Sequence, residues 1–348
     1  MKSYRTLLLG VGLAAAVSVA IIGIRAASRE GDQRLSDESS RSVTLPPAEE
    51  QRRSELLAGG DGRTEIESVI GERSASEWTS RFHSSTDYSE FVSNAAPEAA
   101  AGDARAQFLV AEVLGECHNK VSLYEKRYPD QTTSPAAIFE EVFWENADPS
   151  LPSPYVELSR RDFMKCAEFF AGDPPVLDDL QIGLEAHTRD YWMALALQNG
   201  DPLAVMQESL MLTTRLDGMD EESRTAAVER IRKGVSLAVD SADPEALYQI
   251  GIFIAYAGAS DPEEGPAWTL AACEVGYDCT YANPVIGQGC IELGLCSGGE
   301  SVPLSMQRDS PSLYGRAYAR SQDIVYALEQ GQGTRVLEEL LKKLEFEE

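Results

Sequence analysis

The sequence is poor in the residues that most often carry chemistry. Its 348 residues include three histidines, His83, His118 and His187. So few imidazoles leave little material for general bases or metal sites. It has no phosphate loop, no G-x-S-x-G elbow, no H-E-x-x-H signature and no Rossmann glycine pattern. The glycines of "GQGCIELG" follow no strand pattern and do not form a dinucleotide loop. Positive charge is also scarce. Thirty Lys and Arg face 57 Asp and Glu, a net charge of −27. Such a chain repels nucleic acid and anionic lipid head groups, so no nucleic-acid partner is expected. A basic partner is compatible with it, and the acidity by itself keeps the protein in solution. No cysteine lies before Cys117, which excludes a lipidated N-terminus. Sustained two-residue alternation is missing, so strands are not expected. No cofactor and no metal are expected.

Three features remain. The first is an uncharged apolar run, Leu7 to Ile24, preceded by Lys2 and Arg5 and closed by Arg25. It is longer than the apolar region of a secretory signal, about 7–15 residues, and meets the lower range of a membrane helix, about 17–25 residues. No clean small-residue cleavage site follows. Residues 1–27 are therefore read as an N-terminal anchor, with a cleaved signal as the alternative. Either reading exports the rest of the chain, because the positive charges stay on the cytoplasmic side. The expected location is the bacterial periplasm, tethered to the inner membrane through residues 7–24 or soluble after cleavage. Residues 28–80, rich in Ser, Arg, Glu and Gly, read as a flexible tether.

The second feature is the cysteines: Cys117, Cys166, Cys273, Cys279, Cys290 and Cys296. An even count in an exported chain points to disulfides, and sequence alone does not choose the connectivity. Spacing suggests Cys273 with Cys279, Cys290 with Cys296, and Cys117 with Cys166. The spacings do not suit zinc, which needs closely placed ligands and usually histidine. A Cys117–His118 nucleophile is disfavoured because helix neighbours point about 100° apart.

The third feature is a motif used three times: "GDARAQFLVAEVLGECH", "GDPLAVMQESLMLTTRL" and "ADPEALYQIGIFIAYAG". With Ala106, Ala204 and Ala246 aligned at zero, bulky side chains stand at plus two (Phe108, Met206, Tyr248). Small ones stand at plus five (Ala111, Ser209, Gly251). Apolar ones stand at plus seven (Val113, Met211, Phe253) and plus eight (Leu114, Leu212, Ile254). At about 100° per residue, zero, plus seven and plus eight share one side, and plus two and plus five share roughly the other. A helix with two such faces is packed between neighbours, as inside a stack of helical hairpins. Both Met206 and Met211 are then core residues. Asp103, Asp201 and Asp243 read as helix caps, each able to accept from first-turn N–H groups, with Pro202 and Pro244 at the first helical position. A fourth candidate, around Asp173 and Pro174, lacks the pattern and reads as a loop and helix start. The preceding segments, "TRDYWMALALQNG" and "EESRTAAVERIRKGVSLAVDSA", are expected to complete the hairpins. The fold class is all-α: stacked hairpins, as a short solenoid or a compact bundle, over residues 81–348. Residues 118–165 form an irregular insertion and residues 266–300 a cysteine-rich hairpin.

This small-Asp-x-x-Ala start, with a small residue five further on, resembles the SEL-like repeat, a relative of the tetratricopeptide repeat. The resemblance covers three segments, of which "ADPEALYQIGIFIAYAG" is the closest. Only the interval from Asp201 to Asp243 has a repeat length near 40 residues. The resemblance implies a noncatalytic protein- or peptide-binding scaffold, with Tyr191, Trp192, Tyr248 and Tyr256 as aromatic anchors for a basic partner. The alternatives are an exported carboxylate hydrolase of cell-wall material and a membrane-tethered assembly factor. Acidic pairs such as Asp178–Asp179 and Glu221–Glu222 read as surface or helix-start charges. His187 reads as a helix-surface residue and His83 as solvent-exposed.

Overall fold

Each capping aspartate sits where one helix ends and the next begins. The computed structural model describes residues 77–127, 134–146, 153–170, 186–257, 261–281, 283, 285–286 and 301–343. The apolar run, most of the tether, Cys290, Cys296 and the Asp173–Asp179 segment lie outside the described residues. Among the described residues the regular structure is helical, apart from one isolated antiparallel bridge between Thr280 and Ser301. No described helix is long and apolar enough to cross a membrane.

The helices, in chain order, begin with α1 (residues 77–84), α2 (Tyr88–Ala100) and α3 (Ala104–Arg127). α4 (Pro135–Asn146), α5 (Ser153–Met164) and the short α6 (Ala167–Phe170) follow. Then come α7 (Ala186–Gln198), α8 (Pro202–Thr213), α9 (Glu221–Ser241), α10 (Pro244–Ala257) and α11 (Glu264–Glu274). α12 (Val302–Asp309), α13 (Pro311–Glu329) and α14 (Gly333–Lys343) close the chain. All belong to one unit running from Ala75 to Glu348. The folded part starts before residue 81, because Trp78 is buried and packs edge-on against Phe91.

The local chemistry explains the starts. Asp201 Oδ1 accepts from the N–H groups of Leu203 and Ala204, both at 2.9 Å. Asp243 Oδ1 accepts from Glu245 at 2.9 Å and Ala246 at 3.0 Å. Asp103 Oδ1 accepts from Ala106 at 2.8 Å. The residue before each aspartate is left-handed: Gly102, Gly200 and Ala242, with φ of 104°, 76° and 48°. At Gly102 and Gly200 the aspartate N–H reaches back to the carbonyl five residues earlier, Glu98 and Ala196. This Schellman closure ends one helix while the same residue's side chain opens the next.

The hairpins form differently from the sequence expectation. α8 packs chiefly against α9, and α10 against α11, the helices that follow; the contacts of α7 with α8 and of α9 with α10 are slighter. α3 packs against both α2 and α7. The plus-five position shows why. A Cβ built on Gly251 would stand 2.5 Å from Thr269 Oγ1 and 2.8 Å from the Gly265 carbonyl oxygen on α11. A Cβ on Gly234 of α9 would stand 2.4 Å from Ser209 Oγ. The small residue marks the place where the following helix crosses at close range.

The aligned positions diverge on the other face. Ala106, Ala204 and Ala246 are all fully buried, and so are Val113 and Phe253. Met211, their counterpart at plus seven, is 50% exposed. Met206 is core and Met211 is not. Two disulfides join described cysteines: Cys117 of α3 to Cys166 ahead of α6, and Cys273 of α11 to Cys279.

Candidate functional site

Arg105, the first polar residue on α3, is inserted where α1 and the starts of α8 and α10 meet. Its side chain is 1% exposed. Nε donates to Asp201 Oδ2 at 2.6 Å, Nη2 to Asp243 Oδ2 at 2.9 Å and Nη1 to Thr79 Oγ1 at 2.8 Å. The two carboxylates use their other oxygens to cap α8 and α10. One guanidinium thus ties together α1, α3 and the starts of two further helices. Burial opposes its charge, but Asp201 and Asp243 outweigh burial and hold its pKa above the ordinary value. Burial in turn raises Asp201, against the pull of Arg105. This clasp is structural: its donors and acceptors are committed to one another.

Beyond the clasp, α3 and α8 meet through polar side chains. Gln207 of α8 donates Nε2 to Glu112 Oε1 of α3 at 2.9 Å. Burial raises the Glu112 pKa, Gln207 and Arg189 oppose the rise, and Glu116 and Glu245 add to it. Three carboxylates from α3 and α10 therefore lie within one electrostatic neighbourhood. Glu245 also meets His83 Nε2 of α1 at 3.4 Å, so His83 is half-buried rather than free in solvent. Tyr248, one turn beyond Glu245, stacks on Tyr277 with ring centroids 4.6 Å apart. Burial pushes the Tyr248 phenol up to about 12.

A second charged group surrounds the Cys117–Cys166 disulfide. Lys120 of α3 bonds to Glu116 and, at 3.1 Å, to Asp162 Oδ2 of α5. Lys165 is buried, lies 3.6 Å from Asp162 Oδ1 and places Nζ 5.0 Å from the centre of the Tyr88 ring. Burial raises Glu116 and lowers Lys165. The ammonium gains a carboxylate and an aromatic face where it loses water.

The expected aromatic anchors separate. Tyr191 is 46% exposed and lies on the surface of α7. Trp192 is buried at 2% and belongs to the core between α7 and its neighbours, so it is not a contact surface. Tyr248 and Tyr256 are half-buried. Glu221 and Glu222 are exposed in the first turn of α9, where Asp220 caps Ser223 N–H at 2.8 Å. Among the described residues no cluster of three or more His, Cys, Asp and Glu could hold a metal ion. A cleft of about 510 Å³ between α1 and α2 is lined by Trp78, Asp87, Glu90 and Glu98, away from the raised carboxylates Glu112 and Glu116.

Arg105, Asp162, Lys165 and Tyr277 were not singled out by sequence reasoning. Arg105 has one legible signal: a cation stands beside the zero position, where Leu203 and Glu245 occupy the other two segments. The others meet their partners only through long-range packing. No family model, curated protein or solved structure matches the chain.

Proposed function

We propose that the chain is a noncatalytic helical-repeat scaffold of the bacterial cell envelope that holds a basic peptide segment of a partner protein. The observation that carries the reading is the acidic group on α3 and α10, where Glu116 and Glu245 both add to the rise of Glu112 and Glu245 stands one turn before Tyr248 of the Tyr248–Tyr277 stack. A row of carboxylates flanked by aromatics suits a Lys- or Arg-bearing segment in charge and in shape. The likeness to SEL-like repeats agrees with three aspartate-capped helices, two of them crossed at a small plus-five residue. Two disulfides suit an oxidising compartment. With residues 7–24 in the inner membrane, the tether sets the reach of this face, a geometry that also serves an assembly factor.

The test is calorimetric titration of the full-length chain with an oligolysine dodecamer and with an acidic dodecamer of equal length. The basic peptide is expected to bind with a Kd on the order of micromolar that weakens several-fold between 50 and 500 mM salt. Equal behaviour of the two peptides overturns the proposal. A second reading, a carboxylate hydrolase of cell-wall material, draws on the raised pKa values of Glu112 and Glu116. Release of soluble fragments from purified peptidoglycan, abolished in Glu112→Gln, would establish it instead.

A further inference from the structure

The helices between Cys117 and Cys166 form a unit of their own. α4 and α5 pack against each other, and among the described residues their contacts with every other helix are slighter. Phe139 of α4 meets Phe163 of α5 with ring centroids 5.6 Å apart, and Arg160 bonds to Glu140. Phe139 and Leu158 are buried yet stand outside the main hydrophobic cluster, which the pair reaches through Ile138 and Phe163. Three ties to α2 and α3 gather between Asp162 and Cys166. Lys120 Nζ of α3 donates to the Asp162 carbonyl and to Asp162 Oδ2, both at 3.1 Å. The Tyr88 N–H of α2 donates to the Lys165 carbonyl at 2.9 Å. Cys166 is bonded to Cys117 across 49 residues of chain. At this joint the Lys165 side chain is buried, with its ammonium against the Tyr88 ring. Burying an ammonium costs hydration that opening restores, so the docked state leans on its covalent bond. The second disulfide differs. Cys273 and Cys279 are six residues apart and close a turn at the end of α11, so no helix hangs from that bond.

We infer that the Cys117–Cys166 disulfide is a redox latch: it holds the α4–α5 pair against α3, and a dithiol reductant releases the pair while the other helices stay packed. The step is thiol–disulfide exchange. A thiolate of the dithiol attacks one sulfur, the Cys117–Cys166 bond breaks, and a mixed disulfide forms. The second thiolate of the reductant then displaces the protein sulfur. The dithiol is oxidised to a cyclic disulfide, and its two protons end on the thiols of Cys117 and Cys166. Both cysteines are fully buried, so attack awaits local opening of the joint, which the slight contacts of α4 and α5 permit. The latch stands independently of the peptide reading above.

The experiment follows amide hydrogen exchange of the full-length chain by mass spectrometry, with and without dithiothreitol. A second arm uses the double variant Cys117→Ser, Cys166→Ser, which leaves Cys273 and Cys279 paired. In both arms exchange across α4 and α5 is expected to accelerate by about tenfold or more, while α8 to α11 change by less than about twofold. Unchanged exchange across α4 and α5 in either arm overturns the latch. Equal acceleration across all helices, or a double variant that does not fold, overturns it as well, because the bond then staples the whole fold. The control, Cys273→Ser with Cys279→Ser, is expected to leave α4 and α5 as they were. Acceleration there to the same degree would remove the assignment to Cys117 and Cys166.

Discussion

Two buried arginine–carboxylate nodes hold this molecule together, and they distribute charge in opposite ways. In the first, the cation is deepest. Arg105 is 1% exposed and divides its donors between Asp201 and Asp243, each of which also caps a helix. In the second, the anion is deepest. Glu264 of α11 is fully buried, receives the Trp268 indole N–H at 3.2 Å, and meets Arg320 of α13 at 3.2 Å. Arg320 lies nearer the surface and also bonds to Asp323 and Glu339, at 2.7 and 2.8 Å. The first node couples backbone geometry to a buried charge. The second ties α13 to α11 through a side chain with other partners.

The comparison is broken or sharpened by substitution. Arg105→Met strands Asp201 and loosens Asp243, and is expected to cost about 3–5 kcal/mol. Urea denaturation checks this, and a loss below about 1 kcal/mol would show that the clasp is incidental. Glu264→Gln keeps an acceptor for Trp268 and leaves Arg320 its two other carboxylates, so about 1–2 kcal/mol is expected by the same measurement. A larger loss than for Arg105→Met would invert the ranking of the two nodes.

Glu112 is the third case, a carboxylate whose hydrogen bond comes from a neutral amide. Its folded pKa lies above the ordinary value. Its contribution to stability is therefore fully present below the ordinary glutamate pKa and is lost as pH rises through the raised one. Glu112→Gln should accordingly gain on the parent by about 1 kcal/mol at pH 8 and by nothing at pH 4, seen in paired thermal melts. Ala242→Gly tests the turn ahead of the Asp243 cap. Ala242 is the one non-glycine residue with positive φ among those described. Relief of about 1–2 kcal/mol, less glycine's entropic cost of about 0.5–1 kcal/mol, leaves a stabilisation of up to about 1.5 kcal/mol. A destabilised variant would mean that the Ala242 methyl contributes contacts of its own.

Much of the local order was legible. Aspartate, with proline where present, predicted the starts of α3, α8 and α10, because a cap is satisfied within three residues of itself. The small plus-five residues announced a close crossing. They did not say which helix crosses, and α9 and α11 took the places expected for the preceding segments. Met211 shows the limit of equivalence by alignment: its position matches Phe253, but burial depends on what stands opposite. Trp192 shows the same for recognition, since an aromatic suited to a partner was used by the core.

The sequence by itself determined an acidic helical chain with capped starts, two-faced helices and cysteines spaced for pairing, because capping, periodicity and charge act over a few residues. Tertiary structure alone decided that Arg105 joins two caps, that Gln207 meets Glu112, and that the Cys273–Cys279 loop sets Tyr277 on Tyr248. Those outcomes require residues far apart in the chain to be desolvated together, and the cost or gain of that desolvation exists only once the helices have packed.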